Sequence, residues 1–194
     1  MYNRRLFLAG LGGTTVYPAL APASFAQSRL APANKNYLPN SILLTHEGKK
    51  VRFYDDLIKD KVVVINMMYA ACTGICPAST ASLMQVQEQL GDRVGRDIFM
   101  YSLTLQPERD SAESLRDYVQ RYGIKPGWTF LTGNPKEMDI IRRKLGFYDP
   151  VPEVDANLAE HTGMVRIGNA RHDRWTMAPA LGNPRRTVLT ILNI

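Results

Sequence analysis

The sequence predicts an α/β sandwich built on a central sheet with helices on both sides. Three observations lead there. Val62-Val-Val-Ile-Asn66 is a continuous β-branched run with no polar face, as in a strand buried on both sides. Strand-like and helix-like segments alternate on either side of that run, a pattern that gives parallel strands joined by right-handed crossovers. The two cysteines, Cys72 and Cys76, fall just past its carboxyl end, where open α/β sheets bind ligands.

The elements follow in order. Residues 27–40 are polar and rich in Pro and Ala and read as a linker. Ser41–Thr45 and Lys50–Tyr54 are short strand candidates around His46-Glu-Gly-Lys49, an N-terminal hairpin. The strand from Val62 ends near Met68, and Ala71 to Pro77 forms the turn into a helix. Pro77 costs that helix no hydrogen bond at its start. Leu83, Val86 and Leu90 recur at helical spacing until Gly91. Ile98–Leu103 is the next strand, Glu108–Tyr122 a helix, Trp128–Leu131 a third strand and Pro135–Leu145 a helix. Gly163–Ile167 and Arg174-Trp175 read as a closing hairpin about Gly168-Asn169. From Arg186 to Ile194 the periodicity allows strand or helix. No repeat or second domain is evident, so residues 41–194 form one domain.

The chain has 194 residues, 45% hydrophobic and 22% charged, an ordinary globular balance. Residues 1–26 have the order of a signal peptide: Arg4-Arg5, an apolar Gly/Ala-rich run from Ala9 to Leu20, then Ser24-Phe25-Ala26. The paired arginines point to the twin-arginine route into the periplasm. An uncleaved segment would instead tether the protein to the membrane. The formal charge of +6 includes Arg4 and Arg5. The remaining basic residues are scattered without interleaved aromatics, which argues against a nucleic-acid partner. Arg142-Arg143-Lys144 reads as a solvated helix face.

Two cysteines permit one intrachain bridge at most. They are four residues apart and lie on one face if the first helical turn reaches back, at a helix start where unspent amides and the macrodipole favour thiolate. A disulfide there would close too small a loop to stabilise the fold much, so a functional role is favoured. Thiolate serves two chemistries. With one imidazole it makes a soft, low-coordinate set for Cu(I) or Cu(II), whereas zinc lacks a fourth ligand. Alternatively Cys72 attacks a substrate disulfide and Cys76 resolves it. Of the histidines, His161 precedes the Met164 strand and would approach the cysteine turn if that strand neighbours the one at 62–68. His46 and His172 read as solvent-exposed. Of Met67 and Met68, strand alternation should bury one and point the other away, as core filler rather than ligand.

Four pieces in order resemble the Sco/SenC family: the strand leading into Cys72-Thr-Gly-Ile-Cys76-Pro77, Ser102 to Asp110, Gly127 to Gly133, and Glu160-His161-Thr162. The resemblance implies a thioredoxin-like sandwich with a central mixed sheet. It also implies an exported metallochaperone that binds copper through Cys72, Cys76 and His161. Its partners would be an apo-cuproenzyme such as cytochrome c oxidase, received at the binuclear site of subunit II, and a thiol reductant. Glu160 stands where the family carries an acid beside the histidine. Thr73 and Gly74 replace the family's usual Pro and acid between the cysteines, and Gln106 replaces an acid before Pro107. The alternative is a periplasmic thiol-disulfide oxidoreductase using Cys72 and Cys76. It is weakened by the Cys-x-x-x-Cys spacing and by the absence of a proline just before the Met164 strand. A binding module with an incidental disulfide is the third reading.

Overall fold

The computed structural model describes residues 37–158 and 163–194. Its strands are β1 (Ile42–Thr45), β2 (Lys50–Arg52), β3 (Val62–Met68), β4 (Ile98–Thr104), β5 (Trp128–Gly133), β6 (Met164–Asn169) and β7 (Arg174–Pro179). They form one sheet in the order β2-β1-β5-β4-β3-β6-β7. β3, β4 and β5 are parallel, and the remaining pairings are antiparallel. The helices are α1 (Ile75–Leu90), α2 (Ala112–Tyr122), α3 (Pro135–Lys144), the single turn α4 (Pro152–Asp155) and α5 (Pro184–Leu192). This is the thioredoxin-like sandwich with an N-terminal hairpin that the sequence implied.

Both faces of β3 are covered, as its unbroken apolar run requires. On one face Val64 and Met68 pack with Leu83 and Val86 of α1, Leu115 and Tyr118 of α2, and Ile191 of α5. On the other, Val63, Ile65 and Met67 meet Met138 and Ile141 of α3 with Phe53 and Ile58 of a wide helical turn. Met67 and Met68 are therefore both buried. The expectation that one would point away from the core fails because no face of this strand is open. Leu38 is buried in the second cluster.

Several boundaries move. Residues 53–58 form the helical turn rather than extending β2, which holds Phe53, Leu57 and Ile58 against the sheet. α2 begins at Ala112, capped by Ser111 Oγ accepting Ser114 N–H at 3.2 Å, because residues 106–110 are spent on a turn. The last hairpin turns at 170–173. Gly168 stays in strand opposite Trp175, whose ring occupies the place of the missing Cβ at 2.2 Å. The C-terminal tail is helical, opened by Asn183 and Pro184.

The Arg142–Lys144 run is a solvated face at Arg143 and Lys144 but not at Arg142. Arg142 is buried and paired with Asp155 and Asp139.

Candidate metal centre

Sheet hydrogen bonding of β3 stops at Met68, whose C=O accepts Leu105 N–H at 2.8 Å. Residues 69–74 then turn into α1. The turn is tight: Cys72 N–H donates to Tyr69 C=O at 3.1 Å. α1 has Gly74 at its cap position, with no side-chain cap. Its first amides are left to find another acceptor, and the Cys72 sulfur takes that role.

Both cysteines are reduced and buried, 7% exposed at Cys72 and 2% at Cys76. Burial pushes the Cys72 thiol up. Hydrogen bonds from the Cys76 thiol and N–H, the Tyr69 hydroxyl and the Gly74 N–H outweigh it, and the net effect lowers Cys72 below an ordinary thiol. Tyr69 is raised in turn, first by its bond to Cys72 and then by burial. The arrangement stabilises a sulfur anion at Cys72 and holds the second sulfur in hydrogen-bond contact with it. Such a pair can bind a soft cation or exchange with a disulfide. Tyr69 was not singled out from the sequence, because a lone tyrosine past a strand carries no spacing pattern.

The strand that follows His161 does neighbour the one at 62–68. β6 pairs antiparallel with β3, Asn66 opposite Val165, so the chain enters β6 at the carboxyl end of β3. Gly163 C=O accepts Ala180 N–H at 2.9 Å. A Cβ on Gly163 would stand 3.6 Å from Cδ1 of Ile75, the first residue of α1. His161, with Glu160, lies outside the described residues. Among the described residues no three His, Cys, Asp or Glu side chains converge. His46 is not free in solvent as expected. Its Nδ1 accepts Phe130 N–H at 3.1 Å and its ring meets Phe130 edge-on; burial lowers its pKa. His172 is exposed. Gln106 leaves Oε1 buried with no hydrogen-bond donor among the described residues.

Comparison with known proteins gives a consistent result. The family model described as SCO1/SenC matches residues 33–193. The chain is similar to the mitochondrial SCO1 homolog 1 of Arabidopsis thaliana, 25% identical over 122 residues. That match takes in 62% of this chain but only 35% of the relative's length. Yeast Sco1 solved with copper bound superposes with a TM-score of 0.62 at 18% identity, covering 82% of this chain and 93% of that one. BsSco, described as having a disulfide switch and as a member of the Sco family of cytochrome c oxidase assembly proteins, gives 0.63 at 19% identity, covering 84% and 94%. At these identities the structural likeness is one of fold.

Proposed function

Since the chain belongs to the SCO1/SenC family, we propose that it carries copper as cargo between Cys72, Cys76 and His161 and passes it to an apo-cuproenzyme by ligand exchange. The observation that carries this reading is the Cys72 sulfur, held by α1 amides and in hydrogen-bond contact with Cys76. The described chain resumes at Gly163, two residues after His161, against Ile75, the neighbour of Cys76 at the start of α1. Two thiolates suit Cu(I), and the imidazole extends the set to Cu(II). Binding releases thiol protons, a cost already reduced at Cys72. The acceptor we propose is an exported copper enzyme such as cytochrome c oxidase, at its binuclear site. That choice is supported by the description of BsSco as belonging to a family of oxidase assembly proteins.

Export through the Arg4-Arg5 segment belongs to the same proposal. Among the described residues no helix is long and apolar enough to cross a membrane.

The test is titration of the reduced protein with Cu(I) under a competing chelator, and with Cu(II), beside His161→Ala. Stoichiometric binding with a thiolate-to-copper absorption band, weakened in the variant, supports the reading. Absence of binding below micromolar copper overturns it. The thiol contact itself favours a second reading, disulfide exchange: Cys72 thiolate attacks a substrate disulfide, and Cys76 displaces the second substrate thiol, leaving a Cys72–Cys76 disulfide. Rapid exchange with glutathione disulfide, without copper binding, selects it.

A further inference from the structure

The turn that bears the cysteines is tied down from a distance by one carboxylate. Asp110, 3% exposed, uses a single oxygen, Oδ2, to accept Ala70 N–H at 3.0 Å and Thr104 O–H at 2.5 Å. Thr104 Oγ1 also accepts Gln106 N–H at 2.9 Å, while Arg109 N–H and Asp110 N–H donate to Gln106 C=O. The end of β4 and the 105–110 turn are thereby knitted into one unit with Asp110 at its tip. The Ala70–Asp110 bond ties the 69–74 turn to the 105–110 turn across forty residues of sequence. Ala70 follows Tyr69, which contributes both the hydroxyl on the Cys72 sulfur and the carbonyl that accepts Cys72 N–H.

We propose that Asp110 is the positioning residue of the thiol site. By holding Ala70 N–H it fixes the 69–74 turn so that Tyr69 and the α1 amides converge on Cys72 with Cys76 in contact. It touches neither sulfur and is not a ligand. The assignment builds on the copper-carrier reading, and its consequence is preorganisation: the two sulfurs are brought together before the ion arrives. Without the anchor, Ala70 N–H loses its acceptor and the two thiols spend less time together.

The test compares the wild-type chain with Asp110→Ala, Asp110→Asn and Thr104→Val. Two quantities are measured, Cu(I) affinity by chelator competition and, without copper, the equilibrium of the Cys72/Cys76 couple with glutathione. Asp110→Ala should weaken Cu(I) at least tenfold. It should also lower the disulfide-forming equilibrium constant about tenfold, a shift of about 30 mV towards a more oxidising couple. Asp110→Asn retains an oxygen that accepts Ala70 N–H and should restore both to within about threefold. Thr104→Val keeps the Ala70 bond; it should reduce resistance to unfolding and leave both site readings nearly unchanged. A folded Asp110→Ala protein with wild-type affinity and potential overturns the proposal, as does an Asn variant as defective as Ala. If wild type binds no copper, the carrier reading fails while the glutathione equilibrium still decides the role of Asp110. Should Asp110→Ala not fold, amide exchange in the copper-free reduced wild type decides. Ala70 N–H protected as well as its β4 neighbours supports the assignment, and exchange at the rate of exposed chain overturns it.

Discussion

Arg142 grips Asp155 through two parallel bonds, Nη1 to Oδ1 at 2.7 Å and Nη2 to Oδ2 at 3.0 Å. The same carboxylate accepts Asp149 N–H at 2.9 Å and a bond from Arg143, so one acid fixes the chain from 149 to 155 against α3. The hydrogen bonds from Arg142 and the nearby guanidinium charges hold the Asp155 carboxyl well below the usual carboxylate range. Arg142→Met should cost about 3 kcal/mol in denaturant unfolding, because it leaves a buried carboxylate without its main partner.

The pH dependence has a definite sign. A carboxyl depressed in the folded state and ordinary, near about 3.9, in the unfolded chain stabilises the fold fully above that value. That contribution drains away as pH falls below about 4. Urea midpoints from pH 7 to pH 3 should fall for the wild type. Asp155→Asn should start lower at pH 7 and lose less over the same interval. Equal slopes would rule out this assignment.

Tyr69→Phe removes the hydroxyl that donates to the Cys72 sulfur. The pH midpoint of Cys72 alkylation, followed in a Cys76→Ser background for both proteins, should move upward in the Phe variant. A charge-assisted hydrogen bond contributes about 1.5–3 kcal/mol, so a shift of about one unit is expected. No shift would mean that the amides alone stabilise the thiolate.

Ser102 is wholly buried between β3 and β5. Its Oγ donates to Asn66 Oδ1 at 2.7 Å and accepts Trp128 Nε1–H at 2.8 Å. Ser102→Ala strands both partners and should destabilise by about 2 kcal/mol. Trp128 fluorescence should shift with the loss of its acceptor. Ser102→Thr keeps the hydroxyl and should retain the Trp128 signature.

Gly127 has φ +92°, and a Cβ there would lie 2.7 Å from Val94 C=O, a backbone atom that cannot swing aside. Gly127→Ala combines a disfavoured conformation with that clash and should cost at least about 2 kcal/mol. For a chain of this size the melting temperature should drop by roughly 4–8 °C. An unchanged melting curve would show that the 94–95 loop yields freely.

The sheet and the thiol pair were legible because their signals are local. An unbroken β-branched run bounded by turns reads as a strand covered on both sides, and two cysteines four apart share one face where the first helical turn reaches back to the first of them. What escaped depends on distant partners. Arg142 sits in a basic run that reads as solvated; only the fold brings Asp155, thirteen residues on, against it. Gly168 reads as a turn, yet it lies within a strand because Trp175 fills the space above it. His46 looks like a turn residue until β5 supplies the Phe130 amide. Asp110 carries no spacing signal, since its partner Ala70 has no side-chain chemistry to betray it. The place proposed for His161 rests on the resemblance and on the pairing of β6 with β3.

The two rims of the sheet carry a consequence for handling the protein. β2 is only three residues long with Lys50 and Arg52 at its ends, and β7 runs from Arg174 to Pro179. Short, charged or proline-ended borders are poor templates for strand addition by another copy. Concentrated solutions should therefore resist fibril growth.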